Sequence, residues 1–222
     1  MQNKWFNAFW IYLWAMPVHK RIQSGEANLC LWKITEDITD FNLPISPKES
    51  DNLSRNQQWL AGRAALDALD VDVEALRKDD YGKPWIQGSN GHVSLSHCKS
   101  YAAAIKSQNP VGIDIEEITP RIERIAPRFV HESEWAFISE DDRLKCLYIL
   151  WSAKEALYKL YGKKSVDFKN HMIAKPFEIS SSGVFYMEFL KNTSMLYVMQ
   201  YEVYDNHTLV WVEGWVVFSE YI

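Results

Sequence analysis

The chain has 222 residues, 47% of them hydrophobic and 24% charged, enough for one large domain or two small ones around a sizeable core. Its formal net charge of −5 argues against non-specific nucleic-acid binding, so an anionic ligand must be met by local clusters of basic side chains. Cys30, Cys98 and Cys146 are far apart and show neither CxxC nor Cys/His spacing, which argues against a disulfide framework or a zinc site and suits a reducing cytoplasm.

Trp5 to Met16 is an apolar, aromatic-rich run interrupted by Asn7. It is too short to span a bilayer, lacks a basic flank beyond Lys4, and is followed by no small-x-small cleavage site. Residues 1–15 therefore read as an added packed segment, or as a start assigned too far upstream, rather than a membrane anchor. A strand is expected over Ala27–Ile34, then a helix from about Lys48 to Leu69 with Ser46-Pro47 as its start signal. His92–His97 and Tyr101–Lys106 form a hairpin-like pair turned by Cys98-Lys99-Ser100. Asn109-Pro110 then breaks the chain near its midpoint.

The second half repeats the order of helix and strands. A strand at Val111–Glu116 precedes helical segments around Glu132–Ser139 and Asp142–Tyr161. Three β-rich runs close the chain: Gly183–Leu190, Met195–Tyr204 and Thr208–Ser219. Helices followed by antiparallel strands, twice over, make an α+β pattern.

Two segments carry the chemistry. Alternation in Val111-Gly112-Ile113-Asp114-Ile115-Glu116 sends Ile113 and Ile115 to one face and Asp114 and Glu116 to the other. Glu117 falls on the opposite face from the acid pair and reads as structural. Gly112 beside the acids permits close approach by a backbone or a phosphate, or else marks a bulge. In Trp151-Ser152-Ala153-Lys154-Glu155-Ala156-Leu157-Tyr158-Lys159, the residues Ala153, Ala156, Leu157 and Leu160 form an apolar arc, while Trp151, Glu155 and Lys159 share another helix face. Lys154 points about 100° away from Glu155, given the helical period, and has the weaker claim to a direct role. Two strand carboxylates and one helix carboxylate can supply a hard-oxygen site for Mg²⁺, with lysine nearby to meet phosphate charge.

Upstream, Tyr81-Gly82-Lys83-Pro84, then Val93-Ser94-Leu95-Ser96-His97, and earlier Arg55-Asn56-Gln57-Gln58-Trp59-Leu60-Ala61-Gly62-Arg63 complete an ordered set of four elements between Ser46 and Lys159. Together they resemble the signature of the 4′-phosphopantetheinyl transferases, specifically the longer, monomeric surfactin-synthetase-activating type. Cys98 stands where many members have Ser, and the match after Lys159 is loose.

The resemblance implies two similar α+β halves, 1–108 and 109–222, related by a pseudo-twofold with the active site in the cleft between them. It implies transfer of the 4′-phosphopantetheine arm of coenzyme A to a serine of an apo acyl or peptidyl carrier protein. The reaction would depend on Mg²⁺, with Mn²⁺ as a substitute, and release adenosine 3′,5′-bisphosphate. By motif position, Asp114, Glu116 and Glu155 hold the metal, Glu155 is also the base for the serine hydroxyl, and Lys159 contacts a CoA phosphate and stabilises developing charge. Arg63, Lys83 and His97 hold the 3′-phosphate and pyrophosphate, with Ser96 adding a hydroxyl or backbone N–H. A cytoplasmic monomer with no nucleic-acid or membrane partner is expected. The competing possibility, a catalytically silent homologue that binds CoA or the carrier, predicts loss of one of the acids or of Lys159, and all four are present.

Overall fold

Strands that are apolar on both faces demand cover on both sides, and two adjacent inner strands of the first half are of this kind. In the computed structural model, which describes residues 18–44, 52–191 and 193–217, β1 (Val18–Ser24), β2 (Ala27–Lys33), β3 (Leu76–Lys78), β4 (Pro84–Ile86), β5 (His92–His97) and β6 (Tyr101–Ser107) form one antiparallel sheet. Its order is β1-β2-β6-β5-β4-β3. Cys30, Trp32, Ala102 and Ala104 pack on one side against the helix α1 (Leu53–Asp67), whose buried residues include Ala61, Ala65 and Leu66. Leu29, Leu31, Ala103 and Ile105 face the other way.

What they meet is the second sheet. β7 (Val111–Glu117), β8 (Met172–Ala174), β9 (Ser182–Phe189), β10 (Met195–Tyr204) and β11 (His207–Val217) pair antiparallel in the order β7-β11-β10-β9-β8. Ile113, Ile115, Leu209 and Trp211 close the core between the sheets. The far face of the second sheet, including Met187, Met199, Val210 and Val212, packs on the helix α3 (Arg143–Tyr161). The order of layers is helix, sheet, sheet, helix. A short helix α2 (Ala126–Phe129), with 3₁₀ turns at Pro120–Arg124 and Glu134–Phe137, links β7 to α3.

The layering explains the alternation in β7. Ile113 and Ile115 belong to the intersheet core, and Gly112, Asp114 and Glu116 fall on the side of α3. Gly112 is where strand and helix touch: a Cβ there would lie 1.8 Å from the Ala156 carbonyl oxygen. The helix backbone, rather than a bulge or a ligand, is what its missing side chain admits. The apolar arc of α3 is buried as expected, with Ala153, Ala156, Leu157 and Leu160 in the core. The helix ends at Gly162, left-handed at φ 69°, whose N–H returns to the Tyr158 carbonyl.

Some elements differ from expectation. α1 begins at Leu53 behind Asn52, whose side chain accepts from the Arg55 N–H at 3.0 Å. The expected start at Ser46-Pro47 lies outside the described residues, as does the segment 1–15. The helix expected over Glu132–Ser139 is only the 3₁₀ turn Glu134–Phe137. The edge strands β1, β3 and β8, and the short strand β4, were not expected. The described cysteines are all unpaired. Among the described residues, no helix is long and apolar enough to cross a membrane.

Candidate active site

β7 is an outer strand of its sheet, so alternate backbone groups face away from β11 and need partners from elsewhere. Ile113 finds them on both counts. Its N–H donates to Ser94 Oγ at 3.3 Å, and its carbonyl accepts from Lys159 Nζ at 3.0 Å. One residue further along, Asp114 Oδ1 accepts from Ser96 Oγ at 2.7 Å and from Lys159 Nζ, also at 2.7 Å. The Asp114 side chain is 5% exposed, and its second oxygen, Oδ2, is buried without a hydrogen-bond partner among the described residues.

The other two acids stand close by in charge if not in contact. Glu116 accepts a long hydrogen bond from Trp151 Nε1 at 3.4 Å and has Arg121 at 3.8 Å. Its carboxyl is pushed above the usual range by burial and then by Asp114. Glu155, half-buried on α3, is pushed up to about 7, first by desolvation and then by repulsion from Asp114. Lys159 partly opposes both effects. Among the described residues no three Asp, Glu, His or Cys side chains are gathered closely enough to hold a metal ion as they stand. Here the Lys159 ammonium is the counter-charge to Asp114. The chemistry of the donor set still fits a hard cation: all oxygens, mutually repelling, one of them buried and unpartnered.

Beside these acids lies a cavity of about 400 Å³, walled by α1, the loop before β4, β5 and the end of α3. It collects the expected basic set, Arg63, Lys83, His97 and Lys159, together with Ser96 and Trp59. The Arg63 guanidinium lies over the Trp59 ring at 3.5 Å and donates to the Trp59 carbonyl, so its plane is fixed one helical turn from its own anchor. Burial lowers it to about 10. Lys83 leaves a loop that Asp79 Oδ1 organises by accepting from the Tyr81 and Lys83 N–H groups. Its ammonium donates to the Leu160 carbonyl at the end of α3, and burial pulls it below the usual lysine range. His97, exposed on the cavity wall, is held low by desolvation and then by Lys159.

Ser96 and Lys159, expected at phosphate, are bonded to protein groups here. The Ser96 hydroxyl donates its hydrogen bond to Asp114, and Lys159 donates to Asp114 and to the Ile113 carbonyl. Lys154, expected to point away from Glu155, is entirely buried and donates to Glu134 Oε2 at 2.7 Å and to the Phe129 carbonyl. Glu134 Oε1 in turn accepts from the Ala174 N–H, and Oε2 also accepts from the His131 N–H. Glu134 was missed because the pair lies 20 residues apart and joins α3 to a 3₁₀ turn. No helical or strand period could have signalled it. A second cavity, also about 400 Å³, opens beyond Glu116 and is lined by Arg121, Arg124, Ile125 and Tyr148.

Comparison with known proteins places these observations in a family. The 4′-phosphopantetheinyl transferase superfamily model matches residues 110–212. A 4′-phosphopantetheinyl transferase of Bacillus subtilis is 34% identical over 157 residues, 68% of this chain and 70% of that protein. The 4′-phosphopantetheinyl transferase gsp of Aneurinibacillus migulanus is 34% identical over 111 residues, 48% and 46% of the two chains. Enterobactin synthase component D of Salmonella typhi is 35% identical over 118 residues, 50% of each. The chain thus spans about half the length of the last two relatives. The family match runs from the residue before β7 into β11, and so takes in all three carboxylates and the helix that carries Lys159. This chain belongs to the 4′-phosphopantetheinyl transferase superfamily.

Proposed function

We propose that the protein transfers the 4′-phosphopantetheine arm of coenzyme A to a serine hydroxyl of an apo carrier protein. The observation that carries this is the meeting of Arg63, Lys83, His97 and Lys159 around one cavity in a chain of net charge −5, with three carboxylates alongside. Basic side chains so placed suit the adenosine 3′-phosphate and the pyrophosphate of CoA. The cavity draws on residues from both sides of Pro110, which supports the division at 108/109 and an active site between two related halves.

In this reaction the serine oxygen attacks the phosphorus that bears the pantetheine arm. The bond to the bridging pyrophosphate oxygen breaks, and adenosine 3′,5′-bisphosphate departs. Glu155 accepts the serine proton; burial and then Asp114 raise its carboxyl in the metal-free protein, and a bound cation would lower that basicity while fixing the group beside the nucleophile. Lys159 and the cavity's basic residues stabilise the phosphoryl charge. Asp114, Glu116 and Glu155 are the ligands we assign to Mg²⁺ or Mn²⁺, which when bound neutralises the pyrophosphate and the leaving oxygen. We assign the protein to the cytoplasm as a monomer.

Mass spectrometry of apo acyl and peptidyl carrier proteins, incubated with the protein, CoA and Mg²⁺, tests the proposal. A mass gain equal to one phosphopantetheine on a carrier serine is the expected result. No gain on any carrier class, with intact CoA recovered, would leave a CoA- or carrier-binding homologue.

A further inference from the structure

We infer that Ser96 is a positioning residue for Asp114: with Lys159 it occupies Oδ1, so that the buried Oδ2 is turned to a divalent cation. This rests on the metal assignment proposed above and assigns Ser96 a task other than holding phosphate.

The argument starts from alternation in β5. Val93 packs in the core beneath α1, and Leu95 leans on it next to Gly62. Ser94 and Ser96 therefore lie on the opposite face, where β7 runs past, and both are buried. They bond to successive residues of β7, Ser94 to the Ile113 N–H and Ser96 to the Asp114 carboxylate. The Ser-x-Ser spacing thus matches the two-residue repeat of one strand to the exposed edge of another. His97 falls on the face shared with Leu95 and is exposed at the cavity, free of this task.

The bonding of Asp114 is one-sided. Oδ1 has two donors within 2.7 Å, and Oδ2 has none among the described residues although it is buried. A carboxylate loses much stability when buried with an unmet lone-pair set. Two charge-assisted bonds on one oxygen fix the plane of the group, so the other oxygen has a set direction. Asp114 and Glu116 share one face of β7, and Lys159, one turn beyond Glu155 on α3, reaches Asp114 Oδ1, so the three acids lie in one neighbourhood. A cation there relieves the repulsion and satisfies Oδ2 together. A hydrogen bond that orients a metal-binding carboxylate typically affects metal affinity by about 10–100-fold.

The test is Mn²⁺ binding, followed by the electron paramagnetic resonance signal of free Mn²⁺ at saturating CoA, for wild type, Ser96→Ala, Ser96→Thr and Asp114→Asn. CoA binding is measured separately in EDTA, and circular dichroism melting reports folding. The expected result is Mn²⁺ affinity lowered about 10–100-fold in Ser96→Ala and substantially restored in Ser96→Thr, which keeps the hydroxyl, with CoA binding in EDTA unchanged. Wild-type Mn²⁺ affinity in Ser96→Ala, while Asp114→Asn has lost it, overturns the positioning role and leaves the metal assignment standing. Weakened CoA binding in EDTA with Mn²⁺ affinity intact makes Ser96 a phosphate contact and also overturns it. If Asp114→Asn binds Mn²⁺ like wild type, the metal assignment itself fails and the inference fails with it.

Discussion

Gly112 and Ala156 touch backbone to backbone: a Cβ on the glycine would lie 1.8 Å from the Ala156 carbonyl oxygen and 3.0 Å from the Leu160 nitrogen. Neither is the tip of a flexible side chain, so the strand or the helix must shift. Overpacking a tight core typically costs about 1–3 kcal/mol, and backbone neighbours put this site at the upper end or beyond. Gly112→Ala is expected to lower the melting temperature by several degrees and to impair turnover more than CoA binding, since Glu155 rides on the displaced helix. An unchanged melting curve in circular dichroism would contradict the contact.

The Lys154–Glu134 pair is buried on both sides, and each partner has further bonds. Lys154→Met leaves a buried carboxylate without its cation, a loss of about 3–5 kcal/mol. Chemical denaturation should show it, and the double variant Lys154→Met/Glu134→Leu should regain part of the loss. A single variant as stable as wild type would show the pair to be energetically idle.

Glu155 sets a pH dependence of stability. Its carboxyl is raised from 4.5 to about 7 in the fold, so between these values the folded state binds more protons than the unfolded chain. Stability contributed by this group is therefore present below pH 4.5 and lost as pH rises through about 7. In EDTA, Glu155→Gln removes the effect. The melting temperature of the variant minus that of wild type should grow from pH 5 to pH 8, and a difference independent of pH would refute the assignment.

Arg63 lies flat on Trp59, and its plane is part of what it offers an anion. Arg63→Lys keeps the charge but not the stacking or the fork. A charge-assisted contact is worth about 1.5–3 kcal/mol, so the KM for CoA should rise about 10–100-fold. The KM for dephospho-CoA, which lacks the 3′-phosphate, should rise much less. Equal effects on the two substrates would remove Arg63 from the 3′-phosphate site.

Strong periodicity was read correctly wherever one face is buried. β10 matches its expected bounds, α3 begins within a residue of its expected start, and the Asp114/Ile113 alternation holds because a core lies on one side and a helix on the other. β1 was missed because it is a largely exposed edge with no apolar run, and β3 and β4 because three residues carry no period. At the site, residue types were legible and partners were not. Ser96 meets Asp114 only because β5 passes the open edge of β7 without sharing a ladder with it, a relationship of layers in space. The same holds for Lys83, whose ammonium reaches the last turn of α3 across 77 positions of chain.

The side-chain seam between β5 and β7 divides the work of the chain unevenly. Residues 110–212 contain all three carboxylates of the site, yet Ser94 and Ser96 lie upstream. A fragment beginning at Pro110 would therefore leave β7 without its Ser94 and Ser96 partners and Asp114 held by Lys159 alone, inviting strand-to-strand aggregation. A chimera that replaced the acidic strand of this chain would have to carry its Ser-x-Ser strand with it, because the two are joined side chain to edge.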